Sequence, residues 1–342
     1  MRKLLLIPWV LLMLLSCEGR PRQFVQIQGY AQGGTYTVKM NLSGVQVPVE
    51  TIRDSVDALL LRIDTTLSGY NKNSLLSRYN AGQAVPATPL FLDMYRLGYS
   101  LWERSGGALD FAAGPLYDAW GFGFKNSSFP TDQAVRELLE NCGMGRLPAQ
   151  LPVKDGITDP ADVGYPRLNY NAIAQGYSCD LIARYLYSIG VKDMLVDIGE
   201  IWCDGLNPAG APWTVGIDRP EDQATTERPS ALEGIWLSGG KPCGIVTSGN
   251  YRKFYIRDGR KYAHTIDPRV GYPVTHNLLS ASVVSSVSAA ESDAVATWCM
   301  VVGLEEARKL ILDHPGLEAY LIYDGPDGTM QEWASPGFTV RQ

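Results

Sequence analysis

The period of the apolar positions switches repeatedly along this chain of 342 residues, and the switches divide it into elements. Residues 23–40 read as a strand, a Gly33-Gly34-Thr35 turn and a second strand through Tyr36-Thr37-Val38-Lys39-Met40. A helical period follows, with Ile52, Val56, Leu59, Leu60, Ile63 and Leu67 recurring on one face. A second helix is expected over 88–104, stopped by Gly106-Gly107, and a third after Thr131, ending near Gly143. Asn171 reads as the N-cap of a helix that runs to Ile189 and stops at Gly190. Short β-rich segments occupy 194–198, 213–217, 234–237, 253–257 and 262–266. An apolar strand at 280–287 precedes a buried helix at 289–302. A helix at 304–312, a strand at 319–323 and the turn Gly325-Pro326-Asp327-Gly328 complete the pattern.

Helices and strands alternate only in part, and hairpins dominate the middle. The fold class is therefore α+β, with no simple doubly wound sheet. The Pro- and Asp-rich run 147–166 is the one plausible break between domains. No internal repeat and no low-complexity segment is present.

The first residues stand outside this pattern. Met1-Arg2-Lys3 is basic, and residues 4–15 are an apolar run of signal-peptide length, too short to anchor as a bilayer span. The run closes Leu14-Leu15-Ser16-Cys17, which resembles the lipobox of bacterial lipoproteins. In that reading residues 1–16 are cleaved, Cys17 is lipidated, 17–23 form a tether and 24–342 fold. An ordinary secreted protein with an unmodified Cys17 is the alternative.

An apolar content of 45% is ample for a large core. The net charge of −6 argues against a nucleic-acid partner. Arg252, Lys253, Arg257, Arg260 and Lys261 flank an expected turn at Asp258-Gly259 and read as a solvated edge. Cys142, Cys179, Cys203, Cys243 and Cys299 are scattered and form no CxxC pair, so a zinc site or dense disulfide framework is not expected. They read as small buried apolar residues. One or two disulfides remain open, with no pairing legible in the sequence.

Dinucleotide GxGxxG, P-loop, zincin and GxSxG signatures are all absent. What carries chemistry is a set of glycine-punctuated turns and one helix. In Gly106-Gly107-Ala108-Leu109-Asp110 the glycines let backbone approach a flat ligand, with Asp110 as an acceptor, or they simply make a tight turn with an Asx cap. The stretch Asn169-Tyr170-Asn171-Ala172-Ile173-Ala174-Gln175-Gly176 opens a helix whose free N–H groups could receive phosphate, or it is a plain helix start. Thr247-Ser248-Gly249-Asn250 reads as an ordinary turn. Asp293 and Thr297 lie four apart on the small-residue helix and so share a face; a hard cation could use both, or they could cap and back-bond. His264 lies three residues before Asp267 and is either a satisfied structural histidine or an acid/base. His276 and His314 read as surface residues.

Taken in order, these segments resemble the FAD:protein FMN transferase family, the ApbE-type lipoproteins. The matching pieces are Gly34-Thr35; Ser68-Gly69-Tyr70 with Ser74 and Arg78-Tyr79-Asn80; and the Gly106-Gly107 turn, continued through Gly114-Pro115-Leu116 and Trp120-Gly121-Phe122-Gly123. They continue with 172–176, Val196-Asp197-Ile198-Gly199, Thr247-Ser248-Gly249-Asn250-Tyr251, 264–271 and 293–297, so the resemblance spans about residues 29–338. It implies a fold of mixed sheets with packed helices and a reaction in which FAD is cleaved, FMN passes to a Thr or Ser of a target protein, and AMP leaves. It implies Mg²⁺ held by the side chains of Asp293 and Thr297 and the carbonyl of Ala172. It also implies flavin contacts at Tyr70, Leu109, Asp110, Phe111, Asn169, Gln175 and Ile266, and His264 as the base. Implied targets are membrane subunits of Na⁺-translocating NADH:quinone reductase or Rnf-type complexes, or exported flavoproteins, met by a lipoprotein facing the periplasm. An Mg²⁺-dependent FAD pyrophosphatase and a non-catalytic FAD-binding lipoprotein are the alternatives. The chain departs from the family at Asn169, often Asp, and at Gln175, often Lys. The first loses a charge but keeps a donor and an acceptor; the second loses a cation.

Overall fold

Alternation after the apolar N-terminal run closes as a hairpin, β1 (Phe24–Ala31) against β2 (Gly34–Asn41), with Ala31 opposite Gly34. The turn is one residue earlier than the glycine pair suggests: Gln32 and Gly33 both take positive φ, as a two-residue hairpin turn of matching twist requires. The computed structural model describes residues 22–123, 129–221, 231–251, 254–257 and 260–341. The expected leader, Cys17, most of the expected tether, Arg252, Lys253 and the turn expected at Asp258-Gly259 lie outside the described residues.

Helices come next. α1 (Val49–Leu67) buries Ile52, Val56, Leu60, Ile63 and Leu67, each worth roughly 1.5–3 kcal/mol when removed from water. The short α2 (Leu75–Asn80) is capped by Ser74, followed by β3 (Val85–Pro86). α3 (Pro89–Arg104) has Thr88 as N-cap with Pro89 in its first turn. It ends where Gly106 and Gly107 adopt φ of 55° and 82°, a left-handed pair that turns the chain toward Asp110. α4 (Gly114–Ala119), α5 (Asp132–Asn141), β4 (Ile157–Thr158) and α6 (Ala174–Ser188) complete this insertion. The run 147–166 is no domain break. Leu147 and Leu151 enter the same core as α2 and α3, β4 pairs with β3, and Tyr95 Oη donates to Pro148 O at 2.6 Å.

The chain then returns as β5 (Met194–Asp197) and β6 (Ile201–Asp204), leaves through β7 (Thr214–Asp218) and β8 (Leu232–Leu237), and comes back as β9 (Cys243–Gly249). β10 (Phe254–Arg257), β11 (Arg260–Ala263), β12 (Ile266–Asp267) and β13 (Tyr272–Pro273) form a second excursion before β14 (Leu278–Ser285). Last come α7 (Ala289–Val302), α8 (Leu304–Asp313), β15 (Leu317–Asp324), β16 (Met330–Ala334) and β17 (Val340–Arg341).

The eight-stranded sheet has the order β1-β2-β5-β6-β9-β14-β15-β16, which is chain order. Each neighbouring pair in it is antiparallel. Apart from the C-terminal β17, everything after β1 that is not in this sheet is therefore an insertion between sequential sheet strands. One face of the sheet carries α1 and α6 over β1, β2 and β5, and α7 and α8 over β9, β14 and β15. The other face packs Leu195, Cys203, Cys243, Ile245 and Ile322 against Trp213, just before β7, and Trp236 of β8 in the small sheet β17-β8-β7. The class is α+β, as the sequence indicates. Among the described residues no helix is long and apolar enough to cross a membrane.

Candidate functional site

α7 lies in the middle of the molecule and buries almost its whole circumference, so every residue on it is small, apolar or tied to a partner. Two glycines admit it. A Cβ on Gly176 of α6 would stand 2.4 Å from Ala289 O, and one on Gly244 of β9 would stand 2.5 Å from Ala289 Cα. The contact lets the two helices exchange caps. Asp180 of α6 accepts from the Ala289 and Ala290 N–H groups of α7 at 2.7 and 3.0 Å, and Asp293 of α7 accepts from Gly176 N–H of α6 at 3.1 Å. Both carboxylates meet helix-start N–H groups, where the backbone dipoles favour negative charge.

The Asp293 contact redirects a backbone bond. A continued helix would send Gly176 N–H to Ala172 O; it goes to Asp293 Oδ2 instead, and among the described backbone bonds Ala172 O receives none. Ala172, Asp293 and Thr297 thus present a free carbonyl, a carboxylate and a hydroxyl to one cleft of about 710 Å³. Asn171, expected as the N-cap, lies in the preceding turn, and Ile173 takes the cap position without a side-chain bond. Asn171 N–H is held by Asn169 Oδ1, and its Nδ2 reaches Tyr70 Oη at 3.2 Å.

The same cleft is walled by Tyr70, Leu109, Asp110, Phe111, Asn169, His264 and Ile266, so residues scattered over the sequence converge there. Asp110 is chiefly a clamp: both its oxygens take Met144 N–H at 3.0 Å and Oδ1 takes Ala112 N–H at 2.8 Å. Burial nevertheless pushes its carboxyl up to about 6. Asn169 N–H donates to Phe111 O, locking the two ligand-facing turns together.

Gln175 is the exception among the expected flavin contacts. It does not line the cleft; its Nε2 donates to Ile198 O at 2.9 Å, bracing the turn in which Gly199 takes φ 93°. His264 sits at a bend after β11, with Phe122 edge-on at 6.3 Å between ring centroids. Asp267 is committed elsewhere, since Arg269 grips both its oxygens at 2.9 and 2.7 Å. His276 is no surface residue. It is half-buried, accepting Leu278 N–H on Nδ1 and so donating from Nε2 to Met300 O at 2.8 Å, and burial lowers its pKa. His314 is exposed.

Three things were missed. Thr247, Ser248 and Gly249 are not a turn but the end of β9, where Thr247 Oγ1 pairs with Ser282 Oγ at 2.7 Å and the strand edge lines the cleft. Glu200 also lines the cleft, and Asp180 caps the catalytic-looking helix. The signal for Asp180 was present: an acid four residues after Gly176 shares its buried helix face.

Electrostatics set the chemistry. Asp110, Glu200 and Asp293 line the cleft, and among the described lining residues there is no Lys or Arg. Burial pushes Asp293 up to about 7 and Asp180 up to about 6. No group of three or more His, Cys, Asp or Glu among the described residues forms a metal cage. The all-oxygen donors Ala172, Asp293 and Thr297 instead fit a hard cation that completes its shell from water and an anionic ligand.

The comparisons with known proteins agree on one family. A model of the ApbE family matches residues 32–321. A FAD:protein FMN transferase of Vibrio cholerae is 30% identical over 96% of this chain and 95% of its own length. One from Treponema pallidum is 31% identical, with 95% and 91% covered. The crystal structure of the Pseudomonas stutzeri flavinyl transferase ApbE in its apo form has a TM-score of 0.77 to this structure. It is 29% identical, with 92% of this chain and 95% of that one covered.

Proposed function

The chain belongs to the ApbE family, and on that premise we propose that it is an Mg²⁺-dependent FAD:protein FMN transferase, exported as a lipoprotein. The observation that carries the metal dependence is the freed Ala172 carbonyl beside Asp293 and Thr297, in a cleft whose described lining bears carboxylates and no cationic side chain. An anionic pyrophosphate is repelled by such a lining unless a cation accompanies it. Mg²⁺ bound by these oxygens would offset the charge that develops on the phosphates as they part.

The chain's own residues do the rest. Leu109 and Phe111 offer an apolar wall to the flavin ring, and Asn169 offers a side-chain amide to the polar end of FAD. His264 takes the proton of the acceptor Thr or Ser hydroxyl. That oxygen bonds to the FMN phosphorus, the bond from this phosphorus to the bridging oxygen breaks, and AMP leaves with that oxygen. The lipobox ending in Cys17 supports a tether to a membrane, with the cleft facing the periplasm. Membrane redox subunits or exported flavoproteins carrying an exposed Thr are the matching acceptors.

Intact-protein mass spectrometry tests the reading. A Thr-containing target domain incubated with the protein, FAD and Mg²⁺ gains the mass of FMN and loses the gain in EDTA. Free FMN and AMP without target labelling would make the protein a pyrophosphatase, and uncleaved bound FAD would make it a carrier.

Stability should depend on pH in a direction fixed by the buried acids. Asp110 and Asp180 lie near 6 and Asp293 near 7, against 3.8 when unfolded. Between those limits the folded chain holds protons that the unfolded chain has released, so stability falls as pH rises. The metal-free melting temperature is expected to drop from about pH 5 to about pH 8, and Mg²⁺ to restore it mainly at the higher pH. Scanning calorimetry with Mg²⁺ or EDTA checks this; an Mg²⁺ effect equal at both pH values would remove Asp293 from the site.

Gln175→Lys should be nearly silent, because an ammonium can donate to Ile198 O as the amide does. The KM for FAD is expected to stay within about threefold. A fall of tenfold would mean that residue 175 reaches the pyrophosphate.

A further inference from the structure

Away from the cleft, on the sheet face that packs against β7, β8 and β17, two thiols meet. Cys203 of β6 and Cys243 of β9 are direct cross-strand partners in the middle of the main sheet. Their sulfurs lie 3.8 Å apart, and the residues are 0% and 5% exposed. Adjacent antiparallel strands set the side chains of opposed residues side by side on one face, so side-chain rotation alone can bring the two sulfurs to bonding contact. Trp213, Trp236 and Ile245 pack in the same cluster, and the Ser238 side chain hydrogen-bonds Cys203. Cys243 also places its S–H 3.4 Å from Lys241 O, while Cys179 sits apart on α6 and donates its S–H to Glu200 O at 3.0 Å.

We propose that Cys203 and Cys243 are a modification site, oxidised to a disulfide that staples β6 to β9. The oxidant is a disulfide compound or disulfide-bearing oxidoreductase of the exported compartment. One cysteine thiolate attacks its sulfur to give a mixed disulfide and releases one thiol. The second cysteine then displaces the other, so two protein thiols and one oxidant disulfide become one protein disulfide and two reduced thiols. Because the pair is buried, the exchange occurs while the strands are assembling, and the closed sheet then shields the bond. The cross-link brackets the whole β7–β8 excursion, whose two ends are the strands that it joins. It fixes the base of the small sheet on the large one by limiting the freedom of the unfolded chain. This reading rests on the proposed export but not on the transferase chemistry, since it concerns the opposite face of the sheet and uses no residue of the cleft.

The test is differential alkylation of the full chain in the cells that export it. Thiols are blocked at harvest under denaturing conditions, then disulfides are reduced and labelled with a second reagent. Cys203 and Cys243 are expected to carry the second label, and an unreduced digest to yield one peptide joining them. Both carrying the first label, or either joined to another cysteine, would overturn the proposal. As a second measurement, the purified wild type is expected to melt about 5 °C higher oxidised than reduced. That difference should vanish in Cys203→Ala; its persistence there would also count against the pair.

Discussion

Asp293→Asn is expected to lower FMN transfer by about a thousandfold or more while leaving the fold intact. The amide oxygen can still accept from Gly176 N–H, so the α6–α7 clamp that the carboxylate now makes is kept. What disappears is the charge, the only one among Ala172, Asp293 and Thr297. Burial already raises this carboxyl to about 7, so a neutral amide removes a desolvation penalty near neutral pH. The variant should therefore melt no lower than wild type in EDTA at about pH 8, yet gain nothing from Mg²⁺. Calorimetric titration with Mg²⁺ and the mass-gain assay check both halves. Transfer within tenfold of wild type, or an undiminished Mg²⁺ response, would take the cation away from this helix.

Gly176→Ala is expected to be the most damaging substitution of a residue with no functional group. In an ordinary helix Ala is favoured over Gly by roughly 0.5–1 kcal/mol. Here the new methyl would lie 2.4 Å from Ala289 O, 2.7 Å from its carbon and 2.9 Å from Ala290 Cα, all of them backbone atoms. Backbone cannot swing aside as a side chain can, so α6 and α7 must separate, at a cost of about 3 kcal/mol or more. Separation also stretches three bonds at once: Gly176 to Asp293, and Asp180 to Ala289 and Ala290. The oxygens of Ala172, Asp293 and Thr297 then lose their common face, and activity should fall with stability. Denaturant unfolding of Gly176→Ala beside Gly190→Ala separates the cases, because Gly190 has open space around it and is strained by its positive φ alone. Equal losses at the two positions would mean that the close helix crossing is not what Gly176 provides.

Much of this was legible in the chain before any coordinates. The helical periods of α1, α3 and α7 emerged with bounds close to those expected, because long amphipathic or small-residue runs admit one period only. The i, i+4 spacing of Asp293 and Thr297 placed both on one helix face, and the order of glycine turns carried the family. β6 and β9 were not legible. Neither shows a clean apolar alternation, β6 ending at Asp204 and β9 running into Thr247-Ser248-Gly249, and β9 is defined by pairing with β6 and β14, both far off in sequence. Thr247 reads as turn material until Ser282 is seen bonding to it from β14.

Local chemistry and period thus determined the class and the shared face of Asp293 and Thr297, since these depend on residue types and on spacings within one element, while the order of motifs along the chain carried the family resemblance. The tertiary structure decided which groups face the cleft. It turned Gln175 away toward Ile198, gave Asp267 to Arg269 in place of His264, freed the carbonyl of Ala172 and paired Cys203 with Cys243. Each of those choices is made by a hydrogen bond or a contact set by how the elements pack and turn, and the spacings that the sequence shows do not fix it.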